Sequence, residues 1–324
     1  MKIAFDIMGG DNPITEAIAA ARKFKKKFSN VSIVLVGNQN QIFKHIEHNE
    51  FEVVHADEIV EMTDTPLNAM RKVNSSMYQA IKLVADHKAD GVLSAGCTPC
   101  YVALLFFLLK PIEGIRLLGF APTLPTLKNR PCILCDCGAN INCEANDLLN
   151  FAKMANIYSQ SYYHIENPKI GLINIGSEEH KGLPIHSQSA KLLESDPAIN
   201  YVGFIEPNNI LSGVIDVAIC DGYTGNLVLK SLESGLKTIS VLLKDEFKKP
   251  TNWFGAIFSF FAIKSIKKRF DYRNYAGAVI LGLNAPAVKT HGSADTLQFF
   301  SALTSIYKLI EAQLAQKIKK VIKK

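Results

Sequence analysis

A glycine pair between an apolar run and a helical pattern marks the first candidate binding site of this sequence. Residues 3–8 are mostly apolar and suit a strand buried on both faces, which Gly9 and Gly10 end. Adjacent glycines let a ligand approach the backbone closely, and Asn12 followed by a proline suits the start of a helix. Unpaired amide hydrogens at that helix start attract anions. We therefore predict an anion-binding corner, flanked by two aspartates.

The same arrangement recurs at five further points along the chain. In each, an apolar run meets a loop of Gly, Asn, Ser, Thr or Asp and then continues toward a helix. These runs, each with its loop, are residues 91–94 with 95–99, 132–136 with 137–140, 170–174 with 176–182, 217–220 with 221–226, and 287–290 with 291–293. Six such corners predict a doubly wound α/β fold with a largely parallel sheet.

Parallel strands place these corners at one edge of a sheet, and ligands of open α/β sheets bind outside the carboxyl ends of the strands. We therefore expect the six corners to converge on one pocket rich in backbone amides and short polar side chains. We interpret it as the phosphate-binding pocket of an enzyme. The sequence contains neither Gly-x-Gly-x-x-Gly nor the P-loop pattern, which argues against a standard dinucleotide or nucleoside triphosphate site.

Composition predicts a folded cytoplasmic protein. The 324 residues are 48% hydrophobic, enough for one catalytic α/β domain over residues 1–324, with two lobes as the alternative. The chain opens directly into a strand-like run without a signal-peptide pattern, and no apolar run reaches the length of a membrane span. The net charge is +6, with cations grouped at 264–269 and 317–324. Such groups favour anionic partners, of which we predict a membrane surface and no nucleic acid.

The seven cysteines include two Cys-x-x-Cys pairs, Cys97 with Cys100 and Cys132 with Cys135. The second pair lies in a strand-like run, where positions three apart point to opposite faces and cannot chelate one ion. The first pair lies between a strand and a helix, where a redox role is open. We favour packing for both pairs and predict neither a metal site nor a cofactor.

With the corners in view, the sequence closely resembles the PlsX family, the acyl-carrier-protein:phosphate acyltransferases of bacterial phospholipid synthesis. Eight segments carry the resemblance, in order and from end to end. They are Asp6-x-Met8-Gly9-Gly10-Asp11-Asn12, Ser94-Ala95-Gly96-x-Thr98, Ala121-Pro122-Thr123-Leu124-Pro125-Thr126, Asp136-x-Gly138-Ala139-Asn140, Leu172-x-Asn174-Ile175-Gly176-x-Glu178-Glu179-x-Lys181-Gly182, Asp221-Gly222-x-Thr224-Gly225-Asn226, Leu281-Gly282-Leu283-Asn284-x-Pro286 and His291-Gly292-Ser293.

The resemblance implies an α/β/α sandwich like that of isocitrate and isopropylmalate dehydrogenases, related to phosphotransacetylases, and a homodimer. It also implies transfer of a fatty acyl group from acyl carrier protein to inorganic phosphate, giving an acyl phosphate. The next enzyme, an acyl-phosphate:glycerol-3-phosphate acyltransferase, is expected in the membrane. We therefore expect a cytoplasmic protein that associates peripherally with the inner face of the cell membrane.

For this reaction the enzyme must bind phosphate, donate hydrogen bonds to the oxyanion and stabilise the leaving sulfur. Lys181 is the first candidate for the cationic clamp and His291 for proton transfer, and Asp221 is the third catalytic candidate. The substrate-binding candidates are Asp6, Gly9, Gly10, Asp11, Asn12, Gly96, Thr98, Asn140, Asn174, Gly176, Glu178, Gly222, Thr224, Gly225, Asn226, Gly292 and Ser293. Several also have a structural interpretation, because Asp and Asn cap helices and stabilise turns.

Three residues depart from the family pattern. Cys97 and Pro99 stand where the family usually has Asn and Gly, and Ala294 stands where a second serine is common. Pro99 lacks a backbone N–H, so the departures weaken the expectation that this loop holds phosphate through its amides.

Residues 251–270 combine many large apolar side chains with a block of cations. The segment is too short to cross a bilayer, so we predict a protruding amphipathic element at the membrane interface. The predicted contact residues are Trp253, Phe254, Phe258, Phe260, Phe261, Lys264, Lys267, Lys268 and Arg269. The alternatives are packing in a dimer interface and contact with the carrier protein.

Two other classes of function stay open. One is a dehydrogenase or a short-chain phosphotransacetylase that acts on acyl-coenzyme A. The other is a non-catalytic module that binds membrane or carrier protein. The missing dinucleotide glycines disfavour the dehydrogenase, and the retained polar corners disfavour the module.

Overall fold

The computed structural model describes residues 1–128, 130–178, 180–249, 253–269 and 277–323. Within 253–269, the described side chains are those of residues 255, 258, 259 and 261–266. The strands are β1 (Lys2–Asp6), β2 (Ser32–Gly37), β3 (Glu52–His55), β4 (Gly91–Ser94), β5 (Gly119–Ala121), β6 (Thr123–Leu124), β7 (Cys132–Cys135), β8 (Lys169–Ile173), β9 (Asn200–Ile205), β10 (Val217–Ile219), β11 (Ala278–Leu281) and β12 (Ala287–Lys289).

Helices separate most of these strands. They are α1 (Ile14–Lys27), α2 (Gln39–Ile42), α3 (Pro66–Arg71), α4 (Ser76–Ala85), α5 (Thr98–Leu108), α6 (Ala145–Tyr163), α7 (Pro184–Ser195), α8 (Asn208–Ser212), α9 (Gly222–Lys248), α10 (Trp253–Arg269), α11 (Thr296–Glu311) and α12 (Leu314–Ile322).

The strands form two sheets, and each is largely parallel. The first has the order β3-β2-β1-β4-β12-β11-β5 and the second has the order β6-β7-β10-β8-β9. The antiparallel pairs are β11 with β12, β11 with β5, and β6 with β7. Parallel neighbours that are distant in sequence, such as β4 and β12, are connected by crossovers as in doubly wound folds. The predicted largely parallel α/β fold is confirmed, with its strands divided between two sheets.

Strand β1 lies near the centre of the first sheet and is buried on both faces, as its apolar run predicts. Phe5 packs against Phe299 of α11, with 5.3 Å between the ring centroids. Ala4 points to the other face, into the part of the core that contains the fully buried Tyr101 of α5. Burial on both faces fixes the end of β1, and therefore the position of the glycine corner that follows it.

Two short strands join the sheets. β5 pairs with β11 in the first sheet, and β6 pairs with β7 in the second after a single intervening residue, Pro122. The N–H of Leu134 donates to the carbonyl of Pro122 at 3.0 Å, and that of Cys137 donates to the carbonyl of Phe120 at 2.9 Å. The carboxyl end of β7 therefore lies directly beside the first sheet.

Helix α9 is the longest of the described elements, with 27 residues. At 1.5 Å per residue its length is about 40 Å. Only Gly222 and Gly225 of α9 are buried, so most of the helix extends away from the core, and α10 packs against it. Across the described residues, no helix combines the length and the apolar character needed to span a membrane.

Candidate functional site

The first group of corners is built on a buried carboxylate. Asp6 ends β1 with 1% of its surface exposed, and the hydroxyl of Ser94 donates to its Oδ2 at 2.6 Å. The N–H of Gly96 donates in turn to Ser94 Oγ at 3.1 Å. Burial raises the pKa of Asp6, while the hydrogen bond from Ser94 lowers it. Because a Cβ at Gly9 would lie 2.8 Å from Asp6 Oδ2 and 2.9 Å from Gly96 N, the first corner passes tightly over this carboxylate.

Direct hydrogen bonds join the corners after β1 and β12. The N–H of Asp11 donates to the carbonyl of Gly292 at 2.8 Å. The side-chain amide of Asn12 donates to the carbonyls of Ser293 at 3.0 Å and Ala294 at 2.9 Å. Asn12 therefore bridges two corners, and the N-cap of α1 is Pro13, without a side-chain cap. His291 lies at the surface of this bridge, with its Nδ1 2.8 Å from Ser293 Oγ.

The corner after β4 leads directly into α5. Thr98 is the first residue of that helix and Cys97 is its N-cap. Pro99 falls in the first turn, where backbone N–H groups have no intrahelical acceptor, so its missing hydrogen removes no helical hydrogen bond.

The second group of corners is built on another buried carboxylate, Asp136, at the end of β7. Its Oδ1 accepts the N–H groups of Phe120 at 2.9 Å and Ala139 at 3.3 Å. Its Oδ2 accepts the backbone and side-chain N–H groups of Asn140, both at 2.8 Å. Burial raises the pKa of Asp136 to about 6, and these hydrogen bonds oppose the shift. Asp136 thus occupies in the second sheet the position that Asp6 occupies in the first.

Helix α9 begins against this second carboxylate. Asp221 is its N-cap: Oδ1 accepts the N–H of Thr224 at 2.9 Å, and Oδ2 accepts the Thr224 hydroxyl at 2.7 Å. The N–H of Gly222 donates to the carbonyl of Asn140 at 2.8 Å. A Cβ at Gly222 would lie 2.6 Å from Asp136 Oδ2, and one at Gly225 would collide with the Asp136 carbonyl. Both glycines are therefore required for the helix start to pack over β7.

The loop after β8 holds the predicted clamp. Lys181 Nζ lies 2.8 Å from Glu178 Oε1, with both side chains about half exposed, and this ammonium lowers the pKa of Glu178. Both side chains pack over Gly176, where a Cβ would lie 2.6 Å from Lys181 Cδ and 2.8 Å from Glu178 Oε2. The side-chain amide of Asn174 donates to the Lys181 carbonyl at 2.9 Å and holds the loop. Glu179 lies outside the described residues.

Two further residues near these corners were not predicted as site residues. His186 in the first turn of α7 is close enough to Asp221 for that carboxylate to act on its pKa, which burial lowers. Lys289 ends β12, and burial lowers its pKa to about 8. A histidine in the first turn of a helix and a lysine at the end of a strand carry no distinctive sequence signal.

The six corners form two groups of three instead of one, because β1, β4 and β12 lie in the first sheet and β7, β8 and β10 in the second. The expectation that all six meet at one sheet edge is therefore wrong. Helix α9 connects the groups. It starts in the second group, and Lys230 and Glu233 on its next turns are close enough to Lys289 in the first group to act on its charge.

A cavity of about 420 Å³ opens beside Gly10 and Asn12.

Six of the seven cysteines are buried, and Cys143 is partly buried. Cys100 and Cys132 have no exposed surface, and Cys97 has 5%. Burial raises the pKa of Cys100 to about 12, so the thiol is protonated at neutral pH. The described residues contain no cluster of His, Cys, Asp and Glu arranged to hold a metal ion.

The segment predicted to be interfacial forms α10. Phe258 is 84% exposed, Phe261 is 79% exposed, and Lys264 is exposed. The other predicted contact residues lie in this helix, but their side chains are outside the described part: Trp253, Phe254, Phe260, Lys267, Lys268 and Arg269. On α9, apolar residues recur at steps of three and four, at Leu229, Leu232, Leu236, Ile239 and Leu243. The last three are 37%, 57% and 42% exposed.

This fold belongs to the class shared by phosphotransacylases and a group of dehydrogenases. A phosphotransacetylase from Streptococcus pyogenes superposes with a TM-score of 0.64 at 16% identity, covering 98% of this chain and 94% of that one. A 4-hydroxythreonine-4-phosphate dehydrogenase from Klebsiella pneumoniae superposes with a TM-score of 0.53 at 11% identity, covering 95% of this chain and 97% of that one. At these identities the likeness establishes the fold, which confirms the predicted architecture.

Sequence relatives define the family. The family model described as "Fatty acid synthesis protein" matches residues 1–317. The phosphate acyltransferase of Malacoplasma penetrans (strain HF-2) is 46% identical over 326 residues, covering 100% of this chain and 98% of that protein. The chain belongs to this family of phosphate acyltransferases, so it is an acyltransferase and the predicted resemblance to PlsX proteins is confirmed.

Proposed function

We propose that this protein transfers a fatty acyl group from acyl carrier protein to inorganic phosphate, and that the resulting acyl phosphate enters phospholipid synthesis. The observation that carries the proposal is the pair of buried carboxylates, Asp6 and Asp136, each of which holds a tight glycine corner at the end of a parallel strand. Helix α9 runs from one corner group toward the other. Two polar corners suit a reaction that joins two polar partners, a phosphate and a thioester carbonyl.

In this reaction a phosphate oxygen attacks the thioester carbonyl, the carbonyl oxygen gains negative charge, and the carbon–sulfur bond breaks. Lys181 would balance the negative charge, since its ammonium is half exposed and its partner Glu178 is a surface residue that an anion can replace. Asn226 at the start of α9 would donate to phosphate or to the oxyanion. The hydroxyl and N–H of Thr224 already donate to Asp221, so Thr224 would position the helix start instead. His291 would protonate the leaving sulfur. Burial raises the pKa of Cys220, which disfavours a thiolate nucleophile in the second group.

The decisive assay is phosphate-dependent release of free thiol from long-chain acyl carrier protein, with acetyl-coenzyme A as the competing substrate. Phosphate replaced by sulfate at equal ionic strength is the control. Turnover of acetyl-coenzyme A alone would identify a short-chain phosphotransacetylase, and turnover of neither would leave a non-catalytic binding module. A nicotinamide-binding titration tests the dehydrogenase alternative, for which we expect no binding.

The proposal includes a homodimer joined through α9. The apolar stripe from Leu229 to Leu243 has the spacing of a helix–helix seam, and its last three members are exposed in one chain. Exposed apolar side chains in such a row favour a partner helix, and a second copy supplies the same row. We expect Ile239→Asp to shift the protein from dimer to monomer in sedimentation. The matched control is Thr238→Asp, which adds the same charge beside the stripe and should leave the dimer intact.

The proposal also places α10 at the inner face of the cell membrane, near the membrane acyltransferase that would consume the acyl phosphate. Phe258 is 84% exposed, and exposed aromatic side chains near cations are typical of helices that bind a membrane surface. We expect flotation with anionic vesicles, reduced by Phe258→Asp and retained by Phe258→Leu. Wild-type protein that stays wholly in the soluble fraction would remove the membrane role. An Asp variant that becomes monomeric would instead assign Phe258 to the dimer interface.

A further inference from the structure

Lys289 lies in the same cross-strand row of the first sheet as Ser94 and Asp6, two residues of the first corner group. In the register of β4 and β12 it lies opposite Ser94, whose hydroxyl donates to Asp6 on the next strand. Side chains in one row of adjacent parallel strands point to the same face of the sheet. Ala287, two residues before Lys289, packs in the core beneath α4 and α5. Lys289 therefore points to that face, at the carboxyl ends of the strands.

The titratable groups around Lys289 come from three elements. Asp11 lies in the corner after β1, Cys97 is the N-cap of α5, and Lys230 and Glu233 lie on α9. Asp11 and Glu233 favour the charged form of Lys289, and Lys230 opposes it. The Lys289 side chain is partly buried and makes no hydrogen bond or ion pair with any described residue. A desolvated ammonium without a hydrogen-bonded partner is unfavourable, and an anionic ligand would remove that penalty.

The second corner group reaches the same place along α9. Asn226, Lys230 and Glu233 follow each other at steps of four and three, which puts them on one face of the helix. Asn226 packs against Gly138 in the second group, where a Cβ would lie 3.4 Å from the Asn226 side chain. An anion held by Lys289 would therefore lie beside the helix face that leads back to the second group.

We propose that Lys289 binds the attacking inorganic phosphate through its ammonium group, between the corner after β1 and helix α9. The inference rests on the proposed phosphate acyltransfer and adds to it a binding residue outside the predicted set. An ammonium offers three hydrogens to the several oxygen acceptors of phosphate, and such charge-assisted hydrogen bonds are strong.

The direct test is calorimetric titration of the full-length protein with inorganic phosphate. Lys289→Met should weaken phosphate binding at least about tenfold, and Lys289→Arg should stay within a few-fold because it keeps the charge. The matched control is Lys317→Met, which removes one exposed cation from α12 and should bind as the wild type does. In steady-state kinetics Lys289→Met should raise the KM for phosphate and leave the KM for the acyl thioester within a few-fold.

Thermal melts of the wild type and Lys289→Met distinguish a phosphate-binding role of Lys289 from a structural role. If Lys289 were needed for the fold, Lys289→Met would have a lower Tm than the wild type when no phosphate is present. A lysine kept for binding should instead leave the Tm of Lys289→Met unchanged or raised, because a partly buried ammonium without a hydrogen-bonded partner has been removed. Phosphate should raise the Tm of the wild type and not that of Lys289→Met.

The pH dependence of phosphate binding tests the Lys289 ammonium without relying on the Met variant. Burial lowers the pKa of Lys289 to about 8, so its charge is complete below that pH and is lost above it. The wild-type affinity for phosphate should therefore fall relative to Lys289→Arg as the pH rises through about 8. Comparing the two proteins at each pH cancels the titration of phosphate itself and of Asp11, Cys97, Lys230 and Glu233.

The outcomes distinguish this inference from the function on which it rests. Unchanged phosphate binding in Lys289→Met, or a change in the thioester KM alone, overturns the inference and leaves acyl transfer intact. Phosphate binding that depends on Lys289 in a protein without acyl transfer supports the inference and overturns the function. A wild-type protein that binds no phosphate overturns both.

Discussion

Ser94 donates its hydroxyl hydrogen to Asp6 at 2.6 Å, and its oxygen accepts the N–H of Gly96 at 3.1 Å. One buried serine thus connects the carboxylate at the end of β1 to the corner after β4. Ser94→Ala would leave the buried carboxylate without this donor, so we expect the free energy of unfolding to fall by about 1–3 kcal/mol in urea denaturation. The exposed control Ser195→Ala should change it by less than about 0.5 kcal/mol. Equal stability of the two variants would contradict this role.

Asp136 predicts a pH dependence of stability with a defined sign. Burial raises its pKa from 3.8 to about 6, so the folded protein binds this proton more tightly than the unfolded chain does. The resulting stabilisation is complete below the unfolded pKa and is lost as the pH rises through about 6. Asp136→Asn cannot titrate there. The stability of the wild type relative to Asp136→Asn should therefore increase from pH 7 to pH 5, by at most about 1.4 kcal/mol per pH unit.

Urea denaturation of both proteins at pH 5 and pH 7 measures this difference, and titrations common to both proteins cancel. A difference that shrinks toward pH 5 would mean that the ionised carboxylate stabilises the fold. Asp136→Asn should also be less stable than the wild type at both pH values. All four N–H groups around Asp136 need acceptors, and an asparagine offers one NH₂ group in place of an oxygen.

The sequence was sufficient to predict the strand ends that carry the corners. The predicted strand over residues 91–94 coincides with β4, because Gly96 and the start of a helix follow it directly. The corner after β1 was equally clear, since two glycines interrupt an apolar run. Such signals are local, and burial on both faces gives β1 and β7 nearly the same apolar pattern.

The division into two sheets could not be predicted, for the same reason. Nothing in an apolar strand tells which sheet contains it, and β5 and β6, which make the connection, have only three and two residues. The role of Lys289 was hidden for a related reason. The charges that act on it belong to Asp11, Lys230 and Glu233, which are distant in sequence and are brought near only by the fold.

Because these thiols are buried, we expect their substitution to leave the activity nearly unchanged. Cys100 has no exposed surface, and burial raises its pKa to about 12, which leaves almost no thiolate at neutral pH. We expect Cys97→Ser and Cys100→Ser to keep phosphate-dependent thiol release within a few-fold of the wild type. Circular dichroism should first establish that each variant is folded, since a serine hydroxyl is harder to bury than a thiol. Abolished activity in a folded variant would revive a thiol mechanism.

Lys181 predicts a loss of turnover without a loss of folding. Its ammonium is half exposed and pairs with Glu178 on the same loop, so neither side chain supports the core. If it acts in the transition state, Lys181→Ala should lower turnover by about 10² or more with an unchanged melting temperature. Glu178→Gln removes only the neighbouring carboxylate and serves as the matched control, with a smaller expected effect. Normal activity in folded Lys181→Ala protein would exclude Lys181 from the site.

We expect Asp221 both to stabilise the start of α9 and to take part in catalysis, and two substitutions distinguish these roles. Both of its oxygens accept hydrogen bonds from Thr224, at 2.9 Å from the N–H and 2.7 Å from the hydroxyl, which makes it the N-cap of α9. Asparagine also caps helices well, whereas alanine does not. Asp221→Asn should therefore keep the stability of the wild type, and Asp221→Ala should lose about 1 kcal/mol in urea denaturation.

Turnover should behave differently from stability. If the charge of Asp221 acts on the reacting groups or on nearby His186, both Asp221→Asn and Asp221→Ala should lower turnover by about 10² or more. If Asp221 only holds the start of α9, the Asn variant should be nearly as active as the wild type and the Ala variant impaired in proportion to its lost stability. Thiol-release kinetics and unfolding measured on the same two preparations decide between these roles, because only the catalytic role makes the Asn variant both stable and inactive.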